Sequence, residues 1–114
     1  MDGIEIILLY DYYGDLLTDR QRECFEMRYN QDMSLGEIAE ELGISRQGVH
    51  DNLNRTEALL RNMEAKTGCV SRDLACRRAA APILEAAAEL LKNPDETVAN
   101  LARRILDAVR ELEE

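Results

Sequence analysis

The sequence contains no tryptophan, one phenylalanine, one histidine and two prolines in 114 residues. So little proline leaves long stretches free to be helical. The three cysteines, Cys24, Cys69 and Cys76, are odd in number and share no C-x-x-C spacing. That excludes a disulfide framework and a zinc-site pattern, and it reads as reduced thiols in a cytoplasmic protein. His50 has neither a cysteine nor a second histidine near it to share a metal. The six glycines are scattered, so no phosphate-cradling loop exists. No Ser/His/Asp, Cys/His or paired-carboxylate arrangement can be drawn, which argues against an enzyme and against a cofactor. The apolar run from Ile6 to Tyr10 is far too short to span a bilayer. Asp2 and Glu5 stand where a secretory signal carries positive charge, so neither membrane insertion nor secretion is expected.

Positive charge is also scarce. Fourteen Lys and Arg face 23 Asp and Glu, for a net charge of −9. A chain this acidic is not a general polyanion binder, because non-specific nucleic-acid affinity comes from many phosphate-neutralising cations. The imbalance is local, however. Residues 1–43 carry three arginines against eleven acids, residues 44–78 seven cations against four acids, and residues 79–114 four cations against eight acids. Any nucleic-acid contact is therefore expected in the middle of the chain.

What the sequence does have is helical periodicity throughout, and no stretch alternates with period two for long. A first helix is expected over 4–13, ending near Gly14 and apolar almost all round, so buried or at an interface. Thr18-Asp19-Arg20-Gln21 reads as a capping box opening a helix over 19–30, and Ser34-Leu35-Gly36-Glu37 as another opening a short helix over 35–42. Gly43-Ile44 is a tight turn. Ser45 then caps a long helix over 46–66, with Val49, Leu53, Thr56, Leu60 and Met63 at alternating steps of four and three. Lys66 and Gly68 fit its end. Ser71 is placed to cap a helix over 72–91, with Pro82 as a kink or a fresh start. Asn93-Pro94-Asp95-Glu96 signals the last helix, with Asn93 as cap. Val98, Leu101, Ala102, Ile105, Ala108, Val109 and Leu112 form its apolar face. The composition points to an all-α helical bundle, divided into a domain at 1–68 and a C-terminal helical extension at 69–114. All five aromatic residues, Tyr10, Tyr12, Tyr13, Phe25 and Tyr29, lie in the first third. They fit either a core between the first two helices or, since the first helix has more apolar surface than one neighbour covers, a homodimer face.

The short helix, glycine turn and long helix form a helix-turn-helix without a wing. Ala39 is small where two helices cross closely, Gly43 permits positive φ, Ile44 is expected to plug the core beneath the turn, and Val49 faces inward. In such a module the start of the second helix meets the major groove. That face holds Ser45, Arg46, Gln47, His50, Asn54 and Arg55, with Asp51 among them. Arg46 suits guanine, Gln47 or Asn54 suits adenine, and Arg55, Arg61 and Lys66 suit phosphate. Asp51, and the acids Glu37, Glu40 and Glu41 before it, oppose phosphate. On chemistry alone, binding DNA (or RNA) and holding a protein partner stand level.

The run Leu17-Thr18-Asp19-Arg20-Gln21-Arg22, followed by Ser34-Leu35-Gly36-Glu37-Ile38-Ala39-Glu40-Glu41-Leu42-Gly43-Ile44-Ser45-Arg46-Gln47, resembles region four of bacterial sigma factors. Leu9 to Thr18, and Ser45 to Glu57, resemble more closely the first helix and the second motif helix of the YlxM family of small bacterial helix-turn-helix proteins. This resemblance covers residues 4–66, and the Ala-rich residues 69–114 do not look like that family's tail. It implies a regulatory protein associated with the signal recognition particle pathway. Two functions follow as expectations. One is a DNA-binding regulator acting in that pathway. The other is an accessory factor of the particle's machinery that binds protein components and does not bind DNA directly.

Overall fold

The structure, a computed structural model, describes residues 3–113, with side chains from Glu5 onward. Asp2, used above against a secretory signal, lies outside the described residues. The described residues form helices and connecting turns, with no strand. The chain divides into two compact units, Met1–Val70 and Ser71–Glu114.

In the first unit, α1 (Gly3–Tyr13) runs into a 3-10 turn at Gly14–Leu16. Next come α2 (Asp19–Tyr29), α3 (Leu35–Leu42) and α4 (Arg46–Thr67). Both expected capping boxes form. Thr18 Oγ1 accepts the Gln21 N–H at 3.2 Å while the Gln21 side chain accepts the Thr18 N–H at 3.0 Å. Ser34 and Glu37 do the same at 3.1 and 3.0 Å. Each box satisfies N–H groups that a helix start leaves unpaired. α4 packs against α1, α2 and α3 and is the spine of the unit.

The stepped positions of α4 are its buried face: Val49, Leu53, Thr56 and Leu60. Thr56 is the polar member of that seam, and its hydroxyl donates to the Asn52 carbonyl at 2.8 Å, so it is buried without an unsatisfied group. The aromatics sit between helices. Tyr10 of α1 stacks on Phe25 of α2 at 4.2 Å and 12°, and Phe25 meets Tyr29 at 4.5 Å. Ile6, Leu9 and Tyr13 are buried and Ile7, Leu8 and Tyr12 half-buried, so no described large apolar side chain of α1 stands exposed.

A polar link closes the far end of α4. The Tyr13 hydroxyl donates to Glu64 Oε1 at 2.6 Å, and the same oxygen accepts the Val70 N–H at 3.0 Å. Gly68 takes the left-handed conformation at φ 65° that ends α4.

In the second unit, α5 (Cys69–Leu91) continues through Pro82, and α6 (Glu96–Glu113) follows a short turn. Cys76, Ala80 and Ile83 of α5 line one groove with Val109 and Leu112 of α6. The first half of α5 therefore lies beside the end of α6, and the two helices run antiparallel.

Four expectations need correction. Ile44 does not plug the core. It is 36% exposed, because Ile38, Val49, Leu53 and Cys24, with Ala39 and Leu42 against them, already fill the space under the turn. Ser71 does not cap a helix, because α5 begins at Cys69. There the Glu64 carboxylate supplies the acceptor a cap would give. Asn93 is not the cap of α6. Its side chain instead accepts the Asp95 N–H at 2.9 Å, a local turn across Pro94. Asp95 is the cap, accepting the Thr97 N–H at 2.8 Å. Finally, the apolar residues of α6 form no single covered face. Ala102 and Val109 are buried, while Leu101, Ile105 and Leu112 are exposed.

Candidate nucleic-acid interface

The helix-turn-helix is α3, the turn at Gly43, and α4. Gly43 sits at φ 68°, ψ 33°, and its N–H donates to the Ala39 carbonyl, closing α3. A Cβ there would meet nothing within 4 Å, so backbone conformation and not crowding favours glycine. The turn is short because Ala39 lets α3 approach α4 over the cluster of Cys24, Ile38, Val49 and Leu53.

With Val49 and Leu53 fixed inward, the opposite face of α4 points to solvent. Arg46, His50 and Asn54 are spaced four apart along one stripe, and Gln47, Asp51 and Arg55 along the next. All six are exposed, so the helix brings the sequence-derived candidates together. Their freedom differs. Ser45 Oγ accepts the Gly48 N–H at 2.9 Å, so it is occupied as the cap of α4. The Gln47 amide donates to Asp51 Oδ1 at 3.0 Å. His50 Nδ1 lies 3.8 Å from Asp51 Oδ1 and 3.4 Å from the Asn54 amide nitrogen. Gln47, Asp51, His50 and Asn54 are thus linked side to side. No hydrogen bond or ion pair to another described residue holds Arg46 or Arg55. Arg61 is paired with Glu57 at 3.8 Å and offers less to phosphate.

Arg20 is a residue that the linear reading left out. It lines a groove with Thr18, Gln21, Gly48, Asp51, Asn52 and Arg55, which sets a second cation beside Arg55. Its Nη1 donates to the Leu42 carbonyl at a long 3.5 Å, and its Nε lies 3.9 Å from Glu23. Only the packing of α2 against α4 brings Arg20 there. The sequence signal was its place just after the Thr18 cap. A second groove joins Leu35 of α3 to Arg46, Gln47 and His50.

A family model described as "UPF0122: Putative helix-turn-helix protein, YlxM / p13 like" matches residues 2–101. The chain belongs to that family. The match runs well past residue 66, so the Ala-rich α5 and much of α6 fall within the family, contrary to the expectation that they depart from it. A UPF0122 protein of Thermoanaerobacter sp. (strain X514) is 59% identical over 71 residues, 62% of this chain and 61% of that protein. One of Acetivibrio thermocellus is 51% identical over 86 residues, 75% of this chain and 74% of that protein. One of Bacillus mycoides (strain KBAB4) is 36% identical over 105 residues, 92% and 91% of the two chains. The match thus spans about three fifths of the length of the Thermoanaerobacter relative. The family is a helix-turn-helix family. Among the described residues no helix is long and apolar enough to cross a membrane.

Proposed function

We propose that this chain is a cytoplasmic, non-enzymatic helix-turn-helix regulator, acting as a homodimer without a cofactor, that binds DNA (or RNA) through the exposed face of α4. The observation that carries this reading is the pair of arginines on that face. Arg46 in the first turn and Arg55 two and a half turns on are exposed and held by no acid among the described residues, although acids outnumber bases along the chain. An unpaired arginine in the first turn of a second motif helix is the group that pairs bidentately with guanine, and one further along the same face neutralises phosphate. The resemblance of the runs Leu17 to Arg22 and Ser34 to Gln47 to sigma region four supports the same face. The link to the signal recognition particle pathway rests on the YlxM resemblance.

The test is fluorescence anisotropy on a library of short duplexes and on the particle's RNA, at two salt concentrations. Arg46→Ala should weaken binding by about 1–3 kcal/mol, the worth of a bidentate base contact. Asp51→Asn should strengthen it, by removing an anion from the surface that faces phosphate. With Arg46, Arg55, Arg61 and Lys66 on α4 and Arg20 beside them, the salt slope should be no more than about five per protomer. No binding at low salt, or binding indifferent to both substitutions, would sink the reading.

Two observations favour the second reading, an accessory factor of the particle's machinery that does not bind DNA directly. Asp51 is fixed in the middle of the face by Gln47, and the net charge is −9. That reading predicts co-purification with a protein component from nuclease-treated host lysate, and loss of that component on Arg46→Glu.

A further inference from the structure

Six of the nine large apolar side chains exposed among the described residues lie on α5 and α6: Ile83, Leu90, Leu91, Leu101, Ile105 and Leu112. Their spacing is ordered. On α6, the buried Ala99, Ala102 and Val109 and the half-buried Leu106 follow steps of three, four and three. One residue earlier at each step stand Val98, Leu101, Ile105 and Ala108, and Leu112 continues them as a second seam of alternating three and four. Every member of it but Val98 is exposed. α5 repeats the pattern. Ala80 and Ala87 are buried, and Cys76, Ala79, Ile83, Ala86 and Leu90 form an adjoining seam that is apolar and exposed throughout.

In both helices the open seam precedes the covered one by a single residue. A step of one residue turns a helix by 100°, and in two antiparallel helices the same step turns both toward one side of the pair. The groove shared by Cys76, Ala79 and Ile83 with Leu112 shows this on one side of the hairpin. Two parallel rows of apolar side chains at coiled-coil spacing are the surface that a second helix pair covers in a four-helix bundle.

We propose that this face is the interface between two copies of the chain, which join through α5 and α6 into a four-helix bundle. Charge selects a second copy over other occupants. Residues 71–114 carry seven cations and nine acids, close to balance, whereas residues 1–43 carry three against eleven and would repel their own kind. Within α5 the charge is also split. Arg72, Arg77 and Arg78 outweigh Asp73 in residues 71–80, with Arg77 3.5 Å from Asp73, and Glu85 and Glu89 are the charges of residues 81–91, with Glu89 3.5 Å from Lys92 just past the helix. A two-fold axis crossing α5 near Ile83 sets the cationic half of each copy against the acidic half of the other, which is the self-complementarity that an isologous interface requires. This inference is independent of whether α4 binds nucleic acid.

The test is sedimentation equilibrium of the full chain over a wide range of protein concentration. The unmodified chain should give twice 13.0 kDa. Ile83→Glu combined with Ile105→Glu should give monomer with unchanged helical circular dichroism, while Leu59→Glu, exposed on α4, should leave the dimer intact. A monomeric unmodified chain, or a dimer that survives the double substitution, overturns the proposal. Should the double variant lose helix, cross-linking decides. The axis near Ile83 places Cys76 of one copy opposite Leu90 of the other. Leu90→Cys should therefore give a covalent dimer when oxidised glutathione takes up the two electrons and two protons released as the disulfide forms. Leu90→Ser should not. Absence of that covalent dimer would also overturn the inference.

Discussion

Tyr29 hydrogen-bonds through its phenol to the Glu57 carboxylate, joining α2 to α4. Burial, and then that carboxylate, push its ionisation from the ordinary 10.0 up to about 12. The fold therefore favours the protonated phenol more than the unfolded chain does. Its contribution to stability is complete below pH 10.0 and is lost as the pH rises through about 12. Urea midpoints measured across that window should fall. Tyr29→Phe should flatten the fall without abolishing it, because burial raises Tyr10 and Tyr13 too; an unchanged pH slope in the variant would refute the assignment. Gly43 makes a second single-residue claim. Because space around it is open and only its positive φ is demanding, Gly43→Ala should cost about 1–2 kcal/mol through backbone strain alone. Chemical denaturation reads this directly, and no loss would mean that the turn can relax to another conformation. Both residues show what a sequence reveals at this scale. Gly43 announced itself through its motif. The Tyr29–Glu57 pair spans 28 positions and could be seen only once α2 and α4 were placed side by side.

Helix starts were legible where a side chain caps its own third residue, as at Thr18, Ser34 and Ser45, because the capping chemistry is complete within four residues. They were misread at α5 and α6. At α5 the acceptor comes from Glu64, six residues before Val70. At α6 two acceptors compete, and the short reach of Asn93 to the Asp95 N–H leaves Asp95 to cap the helix. Asp95→Ala should therefore destabilise the second unit by about 1 kcal/mol, the usual worth of an N-cap. Asn93→Ala should cost less. Equal losses, or the reverse order in thermal melts, would return the cap to Asn93. The α3–α4 crossing belongs to the same scale. Ala39 is half-buried against the cluster of Ile38, Val49 and Leu53. Ala39→Leu has no space to enter and should cost about 1–3 kcal/mol by overpacking. A melting curve indistinguishable from the unmodified protein would mean that the two helices are further apart than described.

At the scale of the whole molecule, the two units differ in how they bury apolar surface. In residues 1–70, Phe25, Ile38, Val49 and Leu60 are fully buried beside Ile6, Leu9 and Tyr13. Among the described residues of the second unit the buried side chains are Ala80, Ala87, Ala99, Ala102 and Val109, so fewer and smaller side chains are covered and far less apolar area is removed from water. Periodicity foretold the helices of both units. It could not foretell this difference, because the apolar steps of α6 look alike in the sequence whether Ala102 or Leu101 faces inward. The first unit is therefore expected to fold alone and the second is not. A chain of residues 1–70 should show helical circular dichroism and a cooperative urea transition, with a stability of only a few kcal/mol, as a core of this size supplies. The cut has to follow Val70, because Glu64 Oε1 accepts both the Tyr13 hydroxyl and the Val70 N–H. A chain ending at residue 67 lacks the second of these bonds and the buried Val70 side chain, and should melt lower. Residues 71–114 alone should be largely unfolded when dilute. They should gain helix as concentration rises, since association stabilises by mass action. A fragment 1–70 without a cooperative transition, or a fragment 71–114 whose helicity is full and independent of concentration, would show that the stabilising core has been placed in the wrong unit.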